Sequence, residues 1–372
     1  MIKNHKHIVF CEEHYNPLGL VRSLGEYGIR SYVISTSSKP QMIRKSKYIQ
    51  EYIFAECIHD AYKILMDRFG NEDLRPFLYT SDDIRTSFLD ERYEELKDKF
   101  YFFNAGSNGR ITYFMDKDNI NKLAMKHGLN VLKSIKVERG VIPEGLEYPI
   151  ITKSISSTVG GWKNDVFICH NENELKKAYE RIKAHTVLIQ KYIEKKNELC
   201  LDGFSANNGK DVLFAIASNY NYILPDTYSS YMKIFNFTDK ELGDKLRCMF
   251  SEVGFEGIFS VEFLVDDSDN LYFCEINFRN STWSYASTCA GMNLPVLWAQ
   301  CMCEEIKFDE KKFVKTIPQD FNAMVEIGDF KARVVTRKIG IFKWINDFRK
   351  SKCKFYCAKG DYKPVITKII GK

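Results

Sequence analysis

Short apolar runs separated by amphipathic stretches fill the first hundred residues. Residues 7–11 (HIVFC) read as a buried strand, and Leu20, Val21, Leu24 and Tyr27 have the spacing of a helix that Gly28 ends. A strand over 30–35 follows, then a helix near 59–69, a strand over 76–80, a helix to about Asp98 and a strand over 100–103. This alternation predicts a doubly wound parallel sheet. Ligands of such sheets lie beyond the carboxyl ends of the strands, which places Glu12, Glu13, His14, Ser81, Asp82 and Asp83 along one edge, where acidic residues also suit helix caps. The first loop lacks GxGxxG, so a dinucleotide site is not supported.

After residue 110 the pattern changes. Asp116 is a fitting N-cap for a helix running to about His127. Strands are expected over 148–153, 166–169 and 187–193 and from Glu198, with a helix over 172–184. Within 228–235, Lys233 stands in an aromatic and apolar stretch, a costly place unless it reaches water or meets an anion. An amphipathic helix over 240–253 leads into 258–279, which reads as a hairpin around the polar turn 266–270. Period two puts Phe259, Val261, Phe263 and Val265 on one apolar face with Tyr272, Cys274, Ile276 and Phe278. The other face carries Glu262, Glu275, Asn277 and Arg279, with Glu262 and Glu275 opposite one another at about 5 Å. Two carboxylates there repel unless a cation lies between them, and oxygen donors with a neighbouring amide suit Mg²⁺. A solvated polar face is the bland alternative.

Composition narrows the class. With 45% apolar and 28% charged residues the chain is that of a folded globular protein of two or three domains, not a disordered or fibrous one. Its eleven cysteines contain no CxxC pair, which favours free thiols over disulfides or zinc. Neither a spanning apolar run nor a signal-peptide core is present, so a cytoplasmic protein is expected. The net charge of +5 hides an asymmetry: residues 331–372 hold thirteen Lys and Arg against Asp347 and Asp361. Within that tail, Ile341, Phe342, Trp344, Ile345 and Phe348 lie among Lys338, Lys343, Arg349 and Lys350. The mix suits either a peripheral contact with an anionic membrane or a helix packed on the protein with a solvated basic face. No nucleic-acid module is recognisable.

The remaining chemistry lies between these parts. Lys153 ends a strand before the small-residue loop 154–161 (SISSTVGG), an arrangement that holds phosphates, although Gly160-Gly161 also suits a hairpin turn. Gln190 and Lys191 sit on a strand whose edge is able to pair with adenine, and Glu198 opens the next, placed to accept ribose hydroxyls. The ordered set Lys117, Lys153, Gln190-Lys191, Glu198, Lys233, Glu262, Glu275-x-Asn277-x-Arg279 and Ala290-Gly291-Met292-Asn293-Leu294-Pro295 resembles the ATP-grasp superfamily, in the branch similar to carbamoyl-phosphate synthase and D-aspartate ligase. The resemblance covers roughly residues 8–305.

The resemblance implies an α/β (α+β ATP-grasp) fold: an N-terminal Rossmann-like domain over 1–112, a small ATP-grasp lobe over 113–190, a large lobe with the Mg²⁺ site over 191–310, and a basic extension over 311–372. By resemblance, Lys117 and Lys153 hold ATP phosphates under a loop containing Ser156, Thr158 and Gly160. Gln190, Lys191 and Ile193 contact adenine, Glu198 the ribose, and Glu262, Glu275 and Asn277 two Mg²⁺ ions, with Mn²⁺ as a substitute. Arg279 and Lys233 match catalytic positions. Phe278 stands where the usual pattern has Pro, and Asn280-Ser281-Thr282-Trp283 lacks the common glycines. The implied activity is an ATP-dependent carboxylate–amine ligase acting through an acyl phosphate on small molecules, such as an amino acid or a cell-envelope glycan precursor, in a chain for which a homodimer is plausible. The alternatives are an ATP-grasp kinase or carboxylase, and a non-catalytic nucleotide-binding partner protein.

Overall fold

The computed structural model describes residues 1–38, 42–154, 165–224 and 228–371, so Ser156, Thr158 and Gly160 lie outside the described residues. Among those described, the principal strands form three sheets. The first is parallel throughout, in the order β3-β2-β1-β4-β5, with β1 His7–Cys11, β2 Ser31–Ser35, β3 Ile49–Phe54, β4 Phe77–Thr80 and β5 Tyr101–Phe102. Every residue of β1 is buried, as a strand covered on both faces requires. The crossover helices Tyr15–Glu26, Ile58–Phe69 and Asp83–Asp90 start at His14, Cys57 and Asp82, whose side chains accept backbone N–H bonds. Gly19 lies inside the first of these helices, where a Cβ would meet that of Tyr285 at 2.8 Å; its absence lets the helix pack against Ser284–Cys289.

The second sheet is antiparallel, ordered β6-β9-β7-β8, with β6 Ser134–Glu138, β7 Ile150–Ser154, β8 Phe167–Cys169 and β9 Thr186–Lys191, and helix Glu172–Arg181 covers it through Leu175 and Ala178. The third has the order β14-β13-β10-β11-β12-β15-β16: β10 Asn197–Ala206, β11 Asp211–Tyr220, β12 Tyr231–Phe235, β13 Gly257–Val265, β14 Leu271–Asn277, β15 Asn322–Met324 and β16 Cys353–Lys354. One apolar core runs from the parallel sheet into this one. Trp298 is its pivot, fully buried with ring centroids 5.9, 5.4 and 5.0 Å from Phe77, Tyr79 and Phe103. No helix among the described residues is long and apolar enough to cross a membrane.

The basic tail is woven into this fold. It contributes β16, and its Asp361 meets Arg22 of the first helix at 2.9 Å, both side chains essentially without solvent exposure. Arg22 also donates to the carbonyls of Phe355 and Tyr356, while Ser46 and the Lys47 N–H donate to Asp361. Removing one member of a buried, fully bonded pair strands the other. Asp361→Ala is expected to lower unfolding stability by about 3–5 kcal/mol, read by chemical denaturation.

His7 sets a pH dependence. It is buried, with Nε2 at 2.9 Å from the Ile2 carbonyl and Nδ1 at 2.9 Å from the Tyr79 hydroxyl, and burial lowers its pKa to about 4. The folded protein keeps this ring neutral where the unfolded chain protonates it. Its contribution is therefore full above pH 6.5 and shrinks as the pH falls from 6.5 towards 4, by up to about 3 kcal/mol. His7→Gln should flatten that limb of the stability–pH curve.

Candidate active site

The hairpin β13–β14 pairs Ser260 with Asn277 and Glu262 with Glu275, the expected opposition of the two carboxylates. Beyond Glu262 the register slips by one residue, and Phe263 pairs with Phe273. This β-bulge corrects the expected faces: Phe273 turns into the core, with its ring 5.8 Å from that of Phe263, whereas Cys274 lines the cleft beside Glu275. The adjacent strand continues the polar face. Cys200 of β10 lies opposite Glu262, and Glu198 opposite Leu264.

The carboxylates are short of neutralising partners. Burial, then repulsion by Glu275 and Glu198, raises the Glu262 pKa to about 8. The Asn277 amide donates to Glu262 Oε1 at 2.9 Å, and its oxygen accepts from Arg279 Nη2 at 2.9 Å. Lys117, the first residue of helix Lys117–Lys126, brings Nζ within 3.5 Å of Glu275 Oε2. Asp116 keeps its capping role, accepting from the N–H groups of Asp118 and Asn119. Across the cleft, Lys153 on β7 donates to Gln190 of β9 at 2.7 Å; burial first, and Lys117 second, lower its pKa. Glu198 accepts from Lys195 Nζ at 2.6 Å and from the Tyr220 hydroxyl at 2.8 Å.

These groups line two cavities that share Lys153, Gln190, Glu198 and Glu262. The smaller, about 200 Å³, adds Lys117, Cys274 and Glu275. The larger, about 720 Å³, runs past Ile151, Phe167, Lys191 and Ile193 on one side and past Tyr220 and Trp283 on the other. An apolar slot joined to a pocket of lysines and carboxylates matches a ligand with a flat base and a polyanionic end.

The donor set fits a hard divalent cation. Two facing carboxylates, one driven towards protonation by burial and the other's charge, are what such an ion relieves. No group of three or more His, Cys, Asp or Glu able to hold a metal is found among the described residues. Asn277 would have to turn its amide to offer oxygen, because that oxygen now faces Arg279.

One expected residue stands apart from this cleft, and another is shared with the neighbouring sheet. Lys233 is exposed on β12 opposite Asn219, on the other side of the sheet from Tyr220 and Glu198, so alternation takes it away from the carboxylates. Arg279 is half tethered elsewhere: Nε donates to Asp83 at 2.6 Å, joining the hairpin to the carboxyl edge of the parallel sheet. On that edge Asp82 is a cap paired with Arg85, which also meets Glu12 at 3.2 Å. Sequence reasoning missed Asp202, fully buried two residues beyond Cys200 and bonded to the hydroxyls of Ser281 and Ser284, with its pKa pushed up to about 6 by burial. The signal was there: Glu198, Cys200 and Asp202 alternate onto one face.

Comparison with known proteins agrees with this architecture. Residues 120–208 match the family model described as a RimK-like ATP-grasp domain, a stretch that holds Lys153, Gln190 and Glu198 but stops short of Glu262. N5-carboxyaminoimidazole ribonucleotide synthase of Staphylococcus aureus (strain COL) is 27% identical over 150 residues, 40% of this chain and 38% of that protein; the match thus spans well under half of that relative. Among solved structures, N5-carboxyaminoimidazole synthetase from Staphylococcus aureus superposes with a TM-score of 0.66 at 17% identity, covering 90% of this chain and 86% of that one. An L-amino acid ligase from Bacillus licheniformis gives 0.65 at 14% identity, covering 86% and 78%.

Proposed function

We propose that this chain, which has the ATP-grasp fold, is an ATP-dependent ligase that activates a carboxylate and joins it to an amine. The observation that carries the reading is the facing pair Glu262–Glu275 set against Lys117 and Lys153 in one cleft. A protein that only bound nucleotide would have little use for a partly buried repelling pair beside the lysines of this cleft. Glu262 and Glu275, with Asn277 after its amide turns, would hold Mg²⁺, whose chemistry here is to neutralise phosphate charge.

The chain's own groups then have assignable tasks. Lys153 and Lys117 are placed to take phosphate oxygens in exchange for their present partners Gln190 and Glu275. Glu198, released from Lys195, accepts ribose hydroxyls, and Ile151, Phe167 and Ile193 face the base. Arg279, oriented by Asp83 and Asn277, supplies positive charge next to the carboxylates, where the acyl group would be phosphorylated. In the proposed reaction a carboxylate oxygen attacks the γ-phosphorus and ADP leaves. An amine then attacks the acyl carbon and expels phosphate.

A second reading, in which the activated carboxylate is bicarbonate, is supported by the structural neighbour described as a biotin carboxylase domain in complex with ADP and bicarbonate. ADP release across a panel of amino acids, glycan-borne carboxylates and bicarbonate, each with and without an amine, separates the two. Stimulation by an organic acid and amine together is the expected result, and stimulation by bicarbonate with an amine selects the second reading. Tight ATP binding with no stimulation by any pair would overturn both.

A further inference from the structure

Helix Ile341–Lys350 has no buried residue. Its inner face is nevertheless fixed: Trp344 stacks on Phe348 at 5.4 Å, meets Phe330 edge-on at 5.1 Å and donates Nε1–H to Asp329 at 2.9 Å, and Asp347 accepts from Arg333 at 2.6 Å. The outer face carries Ile341, Phe342 and Ile345, which helical periodicity gathers on an arc of about 100°. Phe342 is 86% exposed, and the two isoleucines 40% each. Val335, at the end of the preceding turn of π-helix Phe330–Val335, is exposed as well.

The exposed charge of this helix and the turns before it is basic: Lys331, Arg337, Lys338, Lys343, Arg349 and Lys350 are exposed, and helical spacing sets Arg349 between Ile345 and Phe342 and puts Lys343 and Lys350 on the flank beyond Phe342. The tail's two acids are turned inward, Asp347 towards Arg333 and Asp361 towards Arg22, so this helix and the turns before it present cations with no outward carboxylate of their own, while Lys352 further along pairs with exposed Asp320. A basic helix that merely faced water would gain nothing from a protruding phenylalanine and two isoleucines.

We propose that this face docks on an anionic lipid bilayer, with Phe342, Ile341 and Ile345 entering the boundary between headgroups and acyl chains while the flanking lysines and arginines lie against lipid phosphates. The protruding apolar side chains, with Trp344 anchored beside them and cations on the flank, are complementary to a soft negative surface. The proposal is independent of the ligase reading, since none of these residues lines the cleft.

The test uses the full chain and vesicles of phosphatidylcholine with or without phosphatidylglycerol. Sedimentation with the anionic vesicles alone, weakening as salt is raised, is expected. The double variant Phe342→Ser/Ile345→Ser should partition about tenfold more weakly with an unchanged melting temperature, and Lys343→Glu/Lys350→Glu should weaken it comparably. Three results would overturn the proposal: no pelleting with anionic vesicles; pelleting insensitive to the Phe342/Ile345 change; or a wild-type dimer that the same change converts to monomer, showing that a second copy covers the face.

Discussion

Replacing Glu275 by glutamine is expected to stabilise the nucleotide-free protein while abolishing ADP formation. Glu262 is half-buried and largely desolvated, and Glu275 is the charge that most opposes its ionisation. Neutralising Glu275 removes that repulsion, a gain of about 1–2 kcal/mol. What is lost in exchange is the contact with Lys117, a partly exposed pair at 3.5 Å worth under about 1 kcal/mol. Under the proposed function, turnover should fall by a factor of about a thousand or more, because one of the two charges that would hold the divalent cation is gone. A thermal melt and a coupled ADP assay on the same preparation decide the matter. Retained turnover would mean that this face of the hairpin has another role.

Lys153→Met is the second large effect. Its ammonium is held against its solvation preference, with a pKa lowered by burial and by Lys117, and its partner is the Gln190 amide oxygen. Such a cation is poised for an anion. Its removal should lower kcat/KM for ATP by about a hundredfold to a thousandfold without lowering the melting temperature. Lys233→Met provides the control: exposed on the opposite side of the sheet, it should change kcat/KM by no more than about twofold. Equal losses in the two variants would contradict the placement of the phosphate pocket.

The legible parts of the chain were those in which periodicity and burial coincide. The helices Ile58–Phe69 and Lys240–Val253 and the strands β1 and β4 fall within a residue or two of their expected bounds, since each buries a continuous stripe or run. β6 escaped notice because it is an edge strand with one buried residue, Val137, and so carries no apolar pattern. β16 is two residues within a basic stretch, held by pairing with β15 that no local signal announces. The opposition of Glu262 and Glu275 followed from turn symmetry, but the bulge at Cys274 did not. Its trace is the spacing of Phe273 and Ile276, two buried residues three apart where strict alternation allows two or four. Lys233 was placed in the site by order along the chain, and side-chain alternation places it on the other face.

The clasp between Arg22 and Asp361 also bears on how the chain is made. The partners are 339 residues apart, so a guanidinium of the helix Tyr15–Glu26 does not meet this anion until residue 361 has left the ribosome. During synthesis the amino-terminal sheet must wait with that charge hydrated and the helix imperfectly seated. Any protein cut short before residue 361 would carry a defect at Arg22, far along the chain from the cut, exposed to chaperones and proteases there.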